Sequence, residues 1–173
     1  MTSRSVNVTV AAYLDTCVIS GCVKNELKAS ERVAFEAILT AYLNNKIDLL
    51  RSAIVEQEIA AIPECYRAPH QTLLLSLLSI PVPPVGGLTR VGSGMFAMAN
   101  PKRLLWRRLS DVLPDENDQR HLFVAACNRV RFFITIDNRT ILSRRLKVYE
   151  ACGVEPVTPA EFVAHVSSQM QIR

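Results

Sequence analysis

The chain predicts an α/β fold, a single domain in which helices flank a central parallel sheet as an α/β/α sandwich. Two apolar runs, Ala11-Ala12-Tyr13-Leu14 and Phe132-Phe133-Ile134-Thr135-Ile136, each stop abruptly on an aspartate, Asp15 and Asp137. The second run is rich in β-branched and aromatic residues and is flanked by polar ones, the pattern of a strand buried on both faces. Between and after these runs, helical periodicity and capping signals recur.

Taken in order, the Asp15 strand end is followed by a short turn-like piece. An amphipathic helix then spans about Ser30 to Asn45. Phe35, Ile38, Leu39 and Tyr42 fall there at i, i+3, i+4 and i+7, with Ser30 as a cap. Lys46 to Leu50 reads as a short second strand. Ser52 caps a helix running to about Ile62, and Pro69 opens another through about Ser79. The Pro/Gly-rich stretch 81–100 interrupts the regular pattern, as a substrate flap or as a variable insertion. A helix from about Pro101 to Leu113 follows. Pro114 separates it from a helix over Asp115 to Val130, and the strand ending at Asp137 comes next. Thr158-Pro159-Ala160-Glu161 places Thr at the cap, Pro first in the helix and Glu three residues after the cap, a capping box before a final helix.

Composition agrees with one folded domain. The 173 residues are 49% hydrophobic and 21% charged, enough apolar material for a core without staples. No apolar run reaches membrane-spanning length. Residues 1–10 lack the apolar segment and cleavage site of a signal peptide, so a cytoplasmic protein with no membrane partner is expected. Five cysteines, an odd number without a CxxC pair, read as reduced thiols. Cys17, Cys22, Cys65 and His70 lack the spacing of zinc knuckles.

In an open α/β sheet, ligands sit beyond the carboxyl ends of the strands. Two aspartates placed there are costly unless a cation lies between them. In the helix after Ser52, Ile54, Val55, Ile59 and Ile62 mark the apolar face. Glu58 projects onto that face, while Glu56 points to solvent. In the run Asp115-Glu116-Asn117-Asp118, helix capping and dipole account for Asp115 and Glu116. Asp118 lies at the edge of the face formed by Leu122, Phe123, Ala126 and Val130. The candidate ligands are therefore Asp15, Glu58, Asp118 and Asp137, with Asp115 as an additional one. His121, one turn beyond Asp118, is a candidate supporting partner. Hard oxygen donors without paired His or Cys select Mg²⁺ or Mn²⁺ over zinc. Such a site suits phosphodiester hydrolysis by an activated water.

The net charge of +4 is mildly basic. Lys102, Arg103, Arg107 and Arg108 flank Trp106, while Arg139, Arg144, Arg145 and Lys147 follow Asp137. Beside a carboxylate site that alone would repel phosphates, these clusters favour a nucleic acid as the partner. Lys102, Arg103, Arg107, Arg108, Arg139 and Arg144 are the candidate backbone contacts.

Three ordered motifs carry a family resemblance: Tyr13-Leu14-Asp15-Thr16, the stretch Ser52 to Ile59, and Asn117-Asp118-Gln119-Arg120-His121-Leu122-Phe123-Val124-Ala125-Ala126 leading to Phe133-Ile134-Thr135-Ile136-Asp137-Asn138. Together they resemble the PIN-domain nucleases over most of the chain. The resemblance implies a small α/β domain whose acidic pocket binds Mg²⁺ or Mn²⁺ and cleaves RNA as an endoribonuclease. It also implies a toxin of the VapBC toxin–antitoxin type, with a protein antitoxin and a homodimer among its partners. The chain departs from the family pattern at Asn138-Arg139, where many relatives have Asp-x-Asp. It departs again at His121, which stands at the acidic position of the commonest toxin pattern. A haloacid-dehalogenase-type phosphatase would need an acid where Cys17 stands. The non-enzymatic alternative is a degenerate PIN-like module that binds RNA or protein without cutting.

Overall fold

The computed structural model describes residues 10–76 and 100–171. Four short strands form one all-parallel sheet: β1 (Val10–Leu14), β2 (Ile47–Leu50), β3 (Phe132–Ile134) and β4 (Glu155–Val157), in the order β2-β1-β3-β4. Among the described residues eight helices surround it: α1 (Thr16–Val23), α2 (Ala29–Leu43), α3 (Ala53–Ala61), α4 (Glu64–Ser76), α5 (Asn100–Val112), α6 (Glu116–Cys127), α7 (Arg145–Cys152) and α8 (Pro159–Gln171). The fold is α/β, with helices on both faces of a parallel sheet.

The period-2 geometry of the strands explains the layering, because successive side chains leave opposite faces. Ala12, Leu14, Phe132 and Ile134 pack on one face with Phe35, Ile38, Ile59 and Phe162. Tyr13 and Phe133 turn to the other face, against Leu109, Leu122, Phe123 and Val148. The register pairs Tyr13 with Leu50 on one side and Phe133 on the other, so the ends of β1, β2 and β3 lie level. Asp15 follows β1 directly, and Asp137 stands three residues past β3. Both leave the carboxyl edge of the sheet.

The helix signals at Ser52 and Thr158 have the expected local chemistry. Ser52 Oγ accepts the Ile54 N–H at 3.2 Å. Thr158 Oγ1 accepts the Glu161 N–H at 3.2 Å, and Glu161 Oε2 accepts the Thr158 N–H at 2.8 Å. The piece after Asp15 is a helix, not a turn. α1 is buried at Thr16, Val18, Ile19 and Gly21, and tertiary packing overrides its poor helical composition. α4 starts at Glu64 and carries Pro69 inside, so Pro69 does not open it. Arg67 braces this helix by donating to the Ile62 carbonyl from Nε and Nη2, at 3.2 and 3.0 Å. α7 and β4 carry no strong sequence signal. β4 is an edge strand containing Pro156, tolerated there because only one side of the strand is paired. Of the Pro/Gly-rich segment, residues 81–99 lie outside the described residues, as does the end of the helix expected to reach Ser79. Among the described residues no helix is long and apolar enough to cross a membrane.

Candidate active site

Carboxylates from four places meet at the carboxyl edge of β1 and β3. Asp15 is buried, its Oδ2 accepting from Thr135 Oγ1 at 2.7 Å and from the Cys17 thiol at 2.9 Å. Thr135 Oγ1 in turn accepts the Asp137 N–H at 3.1 Å, so one hydroxyl ties Asp15 to the backbone of the second aspartate. Asp137 Oδ1 accepts the N–H groups of Arg139 and Thr140 at 2.7 and 3.0 Å, which shapes the turn leaving the sheet. The Thr140 hydroxyl reaches Asp118 Oδ2 at 2.7 Å and also contacts Asp137 Oδ2. Thus the first turn of α6 and the turn after β3 share one hydroxyl.

Glu58 is half-buried on α3 while Glu56 is exposed, as the periodicity requires. Glu56 is not simply solvated, however. Its Oε1 accepts from Nη1 of Arg51, a buried residue just past β2, at 2.7 Å. Glu58 Oε2 meets His121 Nε2 at 3.1 Å. His121 thus partners Glu58, not Asp118. Asp115 is the N-cap of α6, its Oδ1 accepting from Asn117 and Asp118 N–H at 2.8 and 3.2 Å. As a cap it is half-committed, yet its charge still acts on Asp118.

The electrostatics report the proximity. Burial pushes the Asp118 carboxyl up to about 6, against the Thr140 bond, and the charges of Asp15, Asp115 and Asp137 push the same way. Burial also opposes ionisation of Glu58 and Asp137. The His121 bond and charge outweigh it for Glu58, and the Thr140 and Arg139 contacts outweigh it for Asp137, so both sit below the usual carboxylate range. Among the described residues no Lys or Arg forms an ion pair with Asp15, Glu58, Asp118 or Asp137.

The donor set suits a hard divalent ion: carboxylate oxygens, threonine hydroxyls and no exposed thiolate. Burial holds the Cys17 thiol well above the ordinary cysteine range, protonated and unfit as a metal ligand. The buried Thr16 hydroxyl lies beside Glu58 and, with the His121 and Asn117 side chains, favours its ionised form. The carboxylates are spanned by hydroxyls; among the described residues, no three His, Cys, Asp or Glu side chains are drawn into a ready metal shell.

The basic residues divide. Arg139 belongs to the turn that Asp137 caps, and Arg144 Nη1 donates to the Thr140 carbonyl at 3.1 Å, so both border the basin. Arg107 and Arg108 are exposed on α5, whose Trp106 and Leu109 turn inward. The end of α5 meets the start of α6 through Ser110 Oγ, which donates to Gln119 Oε1 at 3.0 Å. Lys102 and Arg103 lie at the other end of α5; the Lys102 charge acts on Cys127, in the last turn of α6. That end is remote from Asp118 in the first turn.

Thr135, Thr140, Tyr13 and Ser52 are site residues that sequence reasoning missed. The Asp137-x-x-Thr140 spacing is a turn signature that could have found one of them. Comparison of the chain with protein-family models, with curated proteins and with solved structures gives no match.

Proposed function

We propose that the chain is a Mg²⁺- or Mn²⁺-dependent endoribonuclease of the PIN type, acting as the toxin of a toxin–antitoxin pair. The observation that carries the reading is the gathering of Asp15, Glu58, Asp118 and Asp137 at one sheet edge, with no Lys or Arg among the described residues in an ion pair with any of them. Asp15, Asp118 and Asp137 would hold the cation, with Glu58 closing the set and Asp115 assisting through its charge. A divalent ion bound there supplies water activation and charge stabilisation at the phosphate.

The chain's own groups do the rest. Thr135 fixes Asp15 Oδ2, and the turn from Asp137 to Thr140 fixes Asp137 Oδ1. Asp118 can hold a proton on its carboxyl below about pH 6 and release it when positive charge arrives. Arg139 and Arg144 steer the phosphate backbone toward the basin, with Arg107 and Arg108 extending the track. Lys102 and Arg103 contribute only to a longer RNA.

A second reading has its own support. Thr135 and Thr140 occupy carboxylate oxygens that a metal would need, which favours a PIN-like module that binds RNA or protein without cutting it. Labelled RNA incubated with the protein and Mn²⁺, with and without chelator, separates the two. The nuclease reading expects metal-dependent cleavage that Asp15→Asn lowers at least 100-fold. Retained RNA binding with no cleavage under any divalent ion would replace it with the binding module.

A further inference from the structure

Tyr13, His121 and Glu58 form a chain of contacts from the sheet core to the rim of the carboxylate basin. Tyr13 is fully buried and stacks on Phe133, ring centroids 5.2 Å apart and planes 7° from parallel. Its hydroxyl lies 2.7 Å from His121 Nδ1, and the imidazole, 2% exposed, meets the phenol edge-on at 5.7 Å. On the far side of the ring, Nε2 lies 3.1 Å from Glu58 Oε2. Ser52, also fully buried, places Oγ 3.5 Å from Nδ1 while accepting the Ile54 N–H. Apart from the Ser52 cap and the stack of Tyr13 on Phe133, these contacts neither cap a helix nor fill the core. A phenylalanine and a leucine would pack there without polar groups to satisfy.

From this geometry we infer that Tyr13 and His121 are positioning residues: they keep a proton on His121 Nε2 facing Glu58 and, together with the Thr16 and Asn117 side chains, hold that carboxylate in place at the rim of the basin, where it would serve the cation. The inference rests on the metal-dependent reading above.

The tautomer follows from donor and acceptor counting. A phenol, with an ordinary pKa of about 10, keeps its hydrogen at neutral pH. With a neutral imidazole, the phenol O–H donates to Nδ1, which must then be the lone-pair nitrogen, and the ring hydrogen sits on Nε2. With a charged imidazole, Nδ1–H donates to the phenol oxygen, whose hydrogen turns toward Ser52. Nε2 carries a proton in both cases. The opposite tautomer would set a lone pair against a carboxylate oxygen at 3.1 Å. Groups of this kind, one step removed from a ligand, typically change metal affinity 10–100-fold when altered.

Two measurements on the full chain test this. Nitrogen-15 NMR of the imidazole in metal-free protein should show Nε2 protonated. Mn²⁺ titration by calorimetry should show affinity falling about 10-fold in Tyr13→Phe, which keeps the stack on Phe133 but frees the tautomer. His121→Leu should lose as much or more, and His121→Gln, with an amide donor near the Nε2 position, should recover part of the loss. An unprotonated Nε2, or wild-type Mn²⁺ affinity in both Tyr13→Phe and His121→Leu, overturns the inference. If wild-type protein binds no Mn²⁺, the metal reading fails by itself. The proton on Nε2 then decides the tautomer assignment alone.

Discussion

Thr140 has one hydroxyl hydrogen to offer, and two carboxylates, Asp118 and Asp137, lie within bonding reach of it. Both cannot be ionised and satisfied. Asp137 already takes two backbone N–H groups and stays charged, so the spare proton belongs to Asp118, whose carboxyl titrates near 6. Thr140 donates to Asp118 Oδ2, and burial with the charges of Asp15, Asp115 and Asp137 outweighs that bond. The sign of the pH dependence follows by linkage. A carboxyl with a raised folded pKa contributes stability at low pH and loses it as pH rises from the ordinary value of 3.8 through about 6. Asp118→Asn imitates the neutral acid, because its amide oxygen still accepts from Thr140 without carrying a charge. At pH 8 in chelator, the variant should gain about 1 kcal/mol, a few degrees in Tm, after discount for solvent screening at this half-buried position. At pH 4 the gain should vanish. An equal Tm difference at both pH values would mean that Asp118 does not hold the proton. The same variant should lose Mn²⁺ binding.

At the scale of elements, α1 shows how packing selects a helix that local preference does not. Gly21 is the tight point: a Cβ added there would meet Ile136 Cδ1 at 2.8 Å and Leu27 Cδ2 at 3.0 Å. Those are side-chain tips, and alanine can be absorbed by small shifts. A branched residue cannot. Gly21→Val should cost about 1–3 kcal/mol in urea unfolding, and its push on Ile136 should reach the neighbouring Asp137. Unchanged stability would show that the α1 contact is loose. At the other end of the chain, Thr158→Ala removes the cap oxygen of α8 and should cost about 1 kcal/mol; no loss would make that bond incidental. The contrast between these two helices also marks what the chain reveals in one dimension. A cap such as Thr158 or Ser52, and an apolar run halted by Asp15 or Asp137, are local signals. α1 is buried nearly all round and has no contrasting polar face, and β4 is three residues with a proline. The bond between Thr135 and Asp15 spans 120 positions, so no local pattern encodes it. Glu58 and Glu56 were separable because a helix turns 100° per residue, but Arg51 could not be foreseen as the partner of Glu56.

For the whole molecule, a net charge of +4 coexists with an acidic basin, so the excess of positive charge lies outside it. Arg139 and Arg144 stand at its border, and Arg107 and Arg108 on exposed α5. If all four neutralise phosphates, RNA affinity should fall steeply with salt, by about 0.7 in logarithmic slope for each contact. Arg107→Ala with Arg108→Ala should flatten that slope by about 1.4 and weaken binding more at low salt than at high. An unchanged slope in filter binding would remove α5 from the RNA track. The sheet itself has two rims, and the one at β4 carries a further consequence. Glu155 N–H donates to the Arg131 carbonyl, and the Val157 carbonyl accepts from Thr135, so residues 155 and 157 bond inward. The intervening peptide of Pro156 therefore faces outward, and proline brings no hydrogen to it. A stray extended segment approaching that rim finds a pyrrolidine ring where the next rung should begin. Growth of the ladder into a larger aggregate is blocked there by the covalent chemistry of a single residue.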